Sequence, residues 1–287
     1  MSRYFELRRE LHEKFAAAGI ESAGVDADIL IAELAGIDRC ELFLRADTEV
    51  PKELERRIRS LAARRAQREP LQYLLGYAYF MDIRLDVSPE VLIPRPETER
   101  LVEWVVEQLP PGGTLLDLGT GSGAIALAAA HERSDFAVTA VDVSPEALAL
   151  AMHNGEQLGL SARVRFFESD LFDALEGERF DLIAANLPYV TDEEYETLEP
   201  EVRCHEPRLA LTAADAGFDL IRRAACAAPH HLKPGGQIIF ELSPPQAPRL
   251  AELLAASRAW SRIAVLRDYT RRERFITAQT ITPEKEK

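Results

Sequence analysis

Apolar residues recur at helical spacing in three early stretches, residues 4–17 (YFELRRELHEKFAA), 24–36 (GVDADILIAELAG) and 51–69 (PKELERRIRSLAARRAQRE). Pro51 suits a first helical turn, and the pattern predicts a small all-helical N-terminal domain over residues 1–72. From Pro70 the texture shifts to aromatic and β-branched residues (LQYLLGYAYFMDIRLDV), which predicts extended strands and makes residues 73–94 a β-hairpin linker. In the stretch Val91-Leu92-Ile93-Pro94-Arg95-Pro96-Glu97-Thr98-Glu99 the two prolines exclude regular helix. A stiff loop therefore feeds a helix over residues 97–109, whose start Thr98 can cap.

After Pro110-Pro111-Gly112-Gly113 short apolar strands alternate with helices: TLLDLG, AIALAAAHE, AVTAVDV, PEALALAMHNGEQLG, RVRFFESD and FDLIAANLPY. A helix around residues 218–228, the turn Lys233-Pro234-Gly235-Gly236, strand QIIFEL, helix PRLAELLAASRAW and strands SRIAVLRD and RFITAQT follow. This alternation predicts an α/β domain over residues 95–280, a doubly wound, mostly parallel sheet with helices on both faces and ligands beyond the strand C-termini. Residues 281–287, ending in PEKEK, read as a frayed tail.

Composition narrows the class. With 287 residues, 47% hydrophobic and 29% charged, the chain has material for one large domain and a small one. No apolar run reaches the roughly 18 residues a membrane helix needs, and the charged amphipathic start MSRYFELRREL does not read as a signal peptide. A cytoplasmic protein without membrane contact is expected, and a monomer. Cys40, Cys204 and Cys226 are odd in number and far apart, which fits neither a disulfide framework nor a metal site; reduced, structural thiols and no bound metal are expected. The net charge of −14 is uneven: residues 1–72 carry 13 basic against 14 acidic side chains, the rest 21 against 34. Nucleic-acid binding draws on cations placed against phosphates, so DNA or RNA is not the expected partner of so acidic a second part. The arginines Arg56, Arg57, Arg59, Arg64, Arg65 and Arg68 read as solvated helix faces.

Two stretches carry chemistry. In Leu115-Leu116-Asp117-Leu118-Gly119-Thr120-Gly121-Ser122-Gly123-Ala124 a strand enters a glycine-rich turn and a helix, whose free N–H groups and small residues let a ligand approach the main chain. That pattern also satisfies the dinucleotide fingerprint, with Asp142 about 20 residues on. Asp117, however, sets a carboxylate two residues before the first glycine, where a pyrophosphate would be repelled and a cationic ligand attracted. Asp142 can accept both ribose hydroxyls, and Ser169-Asp170 can present an acceptor to an adenine amino group. Acidic residues at successive strand ends favour S-adenosylmethionine and resemble the class I methyltransferase fold, which is Rossmann-like. The alternative for Asp142 and Asp170 is a helix or turn cap.

The second stretch is Asn186-Leu187-Pro188-Tyr189 at the end of FDLIAA. Asn186 offers a side-chain carbonyl, and Pro188 biases Leu187 toward extended backbone, turning its main-chain carbonyl outward as a second acceptor. Two acceptors can hold both hydrogens of a planar NH2 group and aim its delocalised lone pair at a methyl sulfonium. Tyr189 can pack against the planar group. This chemistry fits an amide or an adenine.

Along nearly its whole length the chain resembles the protein-(glutamine-N5) methyltransferases that modify the Gly-Gly-Gln loop of peptide-chain release factors. The resemblance is carried by Ile93-Pro94-Arg95-Pro96-Glu97-Thr98-Glu99, by Asp117-Leu118-Gly119-Thr120-Gly121-Ser122-Gly123, by Glu206-Pro207-Arg208-Leu209-Ala210-Leu211 and by Leu232-Lys233-Pro234-Gly235-Gly236. It implies that residues 119–123, Asp142, Leu171 and Asn186 contact S-adenosylmethionine, leaving S-adenosylhomocysteine as product. It further implies that residues 186–189 hold the glutamine, and that the helical domain, hairpin and Arg95 loop recognise the body of the release factor. Arg95 can equally serve as an ion-pair partner. The family usually reads Asn-Pro-Pro-Tyr where this chain has Leu187; Asn-Leu-Pro-Tyr is common in adenine methyltransferases acting on RNA. Residues 212–217 and Arg271 also depart from the family pattern. The alternatives are therefore an adenine N6-methyltransferase and, from a different class, a cofactor-binding module without activity.

Overall fold

The computed structural model describes residues 2–281, so most of the expected tail lies outside the described residues. The chain divides into two compact units, residues 1–77 with 199–205, and residues 78–198 with 206–287. The first unit holds α1 (Tyr4–Ala17), α2 (Ala23–Ala35), α3 (Arg39–Leu44), α4 (Lys52–Arg65) and α5 (Leu71–Leu75). Helical periodicity fills its core with Leu7, Leu11 and Phe15 of α1, Leu30 and Ile31 of α2 and Ile58 of α4. Asp38 caps α3 by accepting from the Glu41 N–H at 2.8 Å. Residues 71–75, expected as strand, are helical: the turn ends at Gly76, whose φ of +86° is left-handed, and this local geometry overrides the aromatic texture.

Not every arginine of this unit is solvated. Arg65 is buried and donates from Nε to Asp26 at 2.7 Å and from Nη1 to Glu201 at 2.8 Å. Arg68 donates to Glu201 and to Glu199. These ion pairs tie the returning segment 199–205, including α10 (Pro200–His205), to the helical unit.

The hairpin strands β1 (Tyr77–Phe80) and β2 (Ile83–Asp86) send Phe80, Ile83 and Leu85 into the core of the second unit. There follow α6 (Pro96–Gln108), β3 (Thr114–Leu118), α7 (Ala124–Glu132), β4 (Ala137–Asp142), α8 (Pro145–Gln157), β5 (Val164–Glu168), β6 (Phe180–Ala185) and α9 (Asp192–Thr197). The unit closes with α11 (Asp219–Ala227), β7 (Leu232–Glu241), α12 (Gln246–Ala256), β8 (Trp260–Arg267) and β9 (Glu273–Thr280). Among the described residues one seven-stranded sheet runs in the order β5-β4-β3-β6-β7-β9-β8. The strands β5, β4, β3, β6 and β7 pair in parallel, and β9 runs antiparallel to both its neighbours. This is the doubly wound α/β sheet the alternation predicts. The expected turn at residues 233–236 is instead a bulge early in β7, where the pairing slips between Phe180 and Leu182 and Gly235 takes a φ of +76°.

Strand alternation sends Leu115, Leu182, Ala184 and Ile239 to the core on one face of the sheet, and Leu116, Leu118, Ile183, Ile238 and Phe240 to the core on the other. By the same alternation Asp117 and Glu241 point into the first face, where α6 and α7 pack. All three cysteines are exposed and free, so none has the packing role expected for it. No helix among the described residues is long and apolar enough to cross a membrane.

Replacing Arg65 with Ala leaves Asp26 and Glu201 without their shared cation and is expected to cost roughly 3–5 kcal/mol. Arg9→Ala removes an exposed pair with Glu13 and should stay within about 0.5 kcal/mol. Urea melts followed by circular dichroism measure both; equal midpoints would show that the buried cluster is not structural.

Candidate active site

The parallel register brings four strand ends to one level. Leu118 pairs with Val141 on one side and with Ala185 on the other, and Asp142 pairs with Glu168. Gly119, Asp142, Ser169 and Asn186 therefore leave the sheet along one edge, where the strand order reverses about β3. A cavity of about 450 Å³ opens there, within the roughly 300–1,000 Å³ of small-molecule sites. Of the residues singled out in the sequence, Arg95, Gly119, Thr120, Gly121, Ser122, Asp142, Asp170, Leu171, Asn186, Leu187 and Pro188 line it. Asp117, Gly123 and Tyr189 do not.

The glycine-rich turn is held by the end of β4. The N–H groups of Gly119 and Thr120 donate to the Val141 carbonyl at 2.9 Å, and that of Gly121 donates to Asp142 Oδ2 at 2.8 Å. Gly121 has a φ of +55°, and a Cβ there would meet nothing within 4 Å. At Gly123 a Cβ would strike Leu127 at 2.7 Å, so this glycine serves the packing of α7 behind the turn.

Asp117 stands behind the turn. It is fully buried, its Oδ2 accepts from Thr120 Oγ1 at 2.7 Å and from the Ala126 N–H at 3.1 Å, and Oδ1 has no hydrogen-bond partner. Burial pushes its carboxyl up to about 7, against these two hydrogen bonds. Asp117 does not line the cavity: the strand's alternation turns its side chain toward α7, where it braces the turn.

Asp142 lines the cavity and accepts from Gly121 and from the Ser144 N–H at 3.0 Å, while Ser144, not Asp142, caps α8. A carboxylate has about four acceptor sites, so two are left for a vicinal diol. Burial raises its pKa. Val143 and Leu171 add apolar surface to the cavity lining. Leu171 adopts a φ of +52°, and Ser169 Oγ secures that turn by donating to the Leu171 carbonyl and accepting from the Ala174 N–H, both at 3.0 Å. Asp170 is paired with Arg223 at 2.8 Å. This donor and acceptor set fits an adenosine whose ribose hydroxyls meet Asp142.

At the other end of the cavity Asn186 Nδ2 donates to Thr98 Oγ1 at 3.0 Å. Thr98 is buried and donates in turn to Glu241 Oε2 at 2.7 Å, so it is not the helix cap it was expected to be; α6 starts instead on Pro96. Burial pushes Glu241 up to about 7, against the hydrogen bond from Thr98 and the charge of Arg274. Tyr189 borders a separate cavity of about 210 Å³ with Arg95, Glu97, Glu241 and Arg274. Its hydroxyl lies 3.4 Å from Glu241 Oε1, and its pKa is raised chiefly by burial. Arg95 lines both cavities and is the ion-pair partner of Glu206, at 2.6 Å, while Glu206 also accepts from the Ile93 N–H. Behind the motif, Gln246 Nε2 donates to the Tyr189 carbonyl at 2.9 Å. Asp215, Ala216 and Gly217 follow one another at positive φ, and a Cβ on Gly217 would come within 2.0 Å of that carbonyl.

Thr98's true role, Glu241 and Arg274 escaped the sequence reading. A signal existed for Glu241, a carboxylate inside the apolar run QIIFEL. Arg274 carries no such mark.

Residues 6–76 match the family profile described as the PrmC N-terminal domain, and residues 96–201 match the methyltransferase small domain. A release factor glutamine methyltransferase of Geobacter sulfurreducens is 43% identical over 232 residues, 81% of each chain. One from Rhodopirellula baltica is 41% identical over 92% of each chain. The chain belongs to the release factor glutamine methyltransferase family. A methyltransferase of Pyrococcus furiosus shares the fold, with a TM-score of 0.51 at 20% identity, covering 69% of this chain and 88% of that one.

Two outcomes are expected of this site. Asp117 keeps its proton in the native state up to about pH 7, whereas an unfolded aspartate releases it near pH 3.9. Stability from this group therefore falls as pH climbs between those values and levels off above. Asp117→Asn should gain on the parent between pH 5.5 and pH 8 in urea midpoints; a difference that does not move with pH contradicts the buried acid. Gly217→Ala should cost about 1–3 kcal/mol or more, through the clash and the left-handed backbone, read as a lowered Tm together with reduced methyl transfer.

Proposed function

We propose that this chain transfers a methyl group from S-adenosylmethionine to the side-chain amide nitrogen of the glutamine in the Gly-Gly-Gln motif of peptide-chain release factors. Membership of the release factor glutamine methyltransferase family supports the substrate. The single observation that carries the chemistry is Asn186 at the cavity wall with its NH2 committed to Thr98, which leaves its carbonyl oxygen for the substrate.

Asp142 would hold the ribose hydroxyls of the cofactor, the turn at residues 119–122 would offer it main-chain approach, and Val143, Leu171, Ser169 and Asp170 would receive the adenine. The bound cofactor supplies a methyl carbon made electrophilic by its sulfonium. Asn186 Oδ1 and the Leu187 carbonyl accept the two hydrogens of the glutamine amide and so aim its lone pair along the transfer line. Tyr189 and Arg95 wall the substrate from the side of the smaller cavity. The new N–C bond forms as the C–S bond breaks, with its electrons left on sulfur. The nitrogen, cationic at that moment, gives up one hydrogen to water, so no buried base is needed. The two acceptors also hold the developing positive charge, which is where such a site gains most. We further propose that the helical unit and the hairpin recognise the body of the release factor, and that the enzyme acts as a cytoplasmic monomer.

The second reading is an adenine N6-methyltransferase, since the Leu187 carbonyl, where the family usually has proline, would serve an adenine amino group as well as an amide; family membership does not favour it. The test incubates the protein with labelled S-adenosylmethionine and either a release factor or total tRNA and rRNA. Label on the Gly-Gly-Gln glutamine is expected, reduced by roughly 100-fold or more in Asn186→Ala. Label on RNA in place of the release factor would sink the glutamine reading.

A further inference from the structure

An Asn side chain can present either its carbonyl or its NH2 to a ligand, and the difference between the two is one half-turn. Holding the hydrogens of a substrate amide requires the carbonyl. The choice at Asn186 is made by the groups its NH2 meets, Thr98 and, through Thr98, Glu241.

Nδ2 of Asn186 lies 3.0 Å from Thr98 Oγ1, which lies 2.7 Å from Glu241 Oε2. Thr98 is 3% exposed and Glu241 1% exposed, so both hydrogen bonds lie in a buried setting where they are electrostatically stronger than in water. In its ionised form, which the Thr98 hydrogen bond and the charge of Arg274 favour against burial, the Glu241 carboxylate only accepts, and a hydroxyl has one hydrogen. With that hydrogen on Glu241, Thr98 has lone pairs alone to offer, and Asn186 must meet it with its NH2. The direction of every hydrogen in the row follows from the carboxylate at its end. The fold makes this row from three elements. Ala185 pairs with Phe240, so Asn186, just past the end of β6, comes beside Glu241, the last residue of β7, and Thr98 reaches both from the first turn of α6. The other oxygen of the same carboxylate is 3.4 Å from the Tyr189 hydroxyl, which places Glu241 behind both ends of the motif.

We infer that Glu241 and Thr98 are positioning residues: the buried carboxylate orders the Thr98 hydroxyl, and the hydroxyl fixes the Asn186 amide with its carbonyl toward the substrate. This rests on the glutamine reading for its substrate but not for its geometry. It also explains why an acid is kept buried at an energetic cost, with Arg274 as its compensating charge.

The test is Thr98→Val, which removes the hydroxyl and keeps the shape, beside Thr98→Ser, which restores it. For methylation of a release factor, Thr98→Val is expected to lower kcat about 10- to 100-fold with a smaller change in KM, and Thr98→Ser to recover most of it. In the Asn186→Ala background Thr98→Val should have no further effect, because Thr98 acts through Asn186; a general structural role would multiply instead. The second readout needs no turnover. In 15N-labelled protein, the Asn186 side-chain NH2 signals, assigned with Asn186→Ala, should include one proton slow to exchange in the parent and in Thr98→Ser. That protection should be gone in Thr98→Val and in Glu241→Leu. Full kcat in Thr98→Val, multiplying effects, or an unchanged Asn186 signal in either variant overturns the inference. A parent that shows the protected proton yet methylates no release factor refutes the glutamine reading and leaves the positioning row standing.

Discussion

Backbone pairing between β3 and its two parallel neighbours fixes where every other part of the site must be. Because Leu118 is level with both Val141 and Ala185, the glycine-rich turn, Asp142 and Asn186 emerge side by side, from segments far apart in the chain. A slip of one residue on any strand would exchange the side chains it sends to the two cores and carry its functional residue out of line with the others. The apolar alternation of these strands, fully buried on both sides, is what forbids that slip. The precision of the site is thus inherited from the packing of a core that takes no part in the chemistry.

The same alternation creates the site's main electrostatic liability. Asp117 and Glu241 fall on inward-facing positions of one sheet face, beneath α7 and α6, and burial raises both toward neutrality. Each occupies its place with hydrogen bonds that organise a neighbour: Asp117 gathers Thr120 and the Ala126 N–H around the turn, and Glu241 gathers Thr98 and Tyr189 around the Asn186 motif. Buried polar groups of this kind give up stability for a single well-defined arrangement.

In the helical unit a buried arginine plays the corresponding part. Arg65 joins Asp26 of α2 to Glu201, a residue more than 130 positions away, and so anchors the segment that returns to this unit between Leu198 and Glu206. Glu206, next in the chain, holds Ile93 and Arg95 of the proline-bounded loop beside the cavity.

The sequence by itself determined the α/β alternation, the helical N-terminal unit, the glycine-rich turn, the acidic strand ends and the Asn186 motif, because hydrophobic period, glycine placement and strand-end chemistry are local properties that survive without knowledge of what packs where. Most of the cavity wall was legible for the same reason. Only the tertiary structure decided that Asp117 faces away from the cavity, that Thr98 binds Glu241 and Asn186 where a helix cap was expected, that Tyr189 borders a separate cavity and that Arg65 is buried. For Thr98 and Arg65 the deciding partner is a side chain from a distant element, and for Asp117 and Tyr189 it is which helix or cavity the other elements set against that face of the sheet. A single residue's type does not carry that information; the register of strands and the docking of α6 on the sheet supply it.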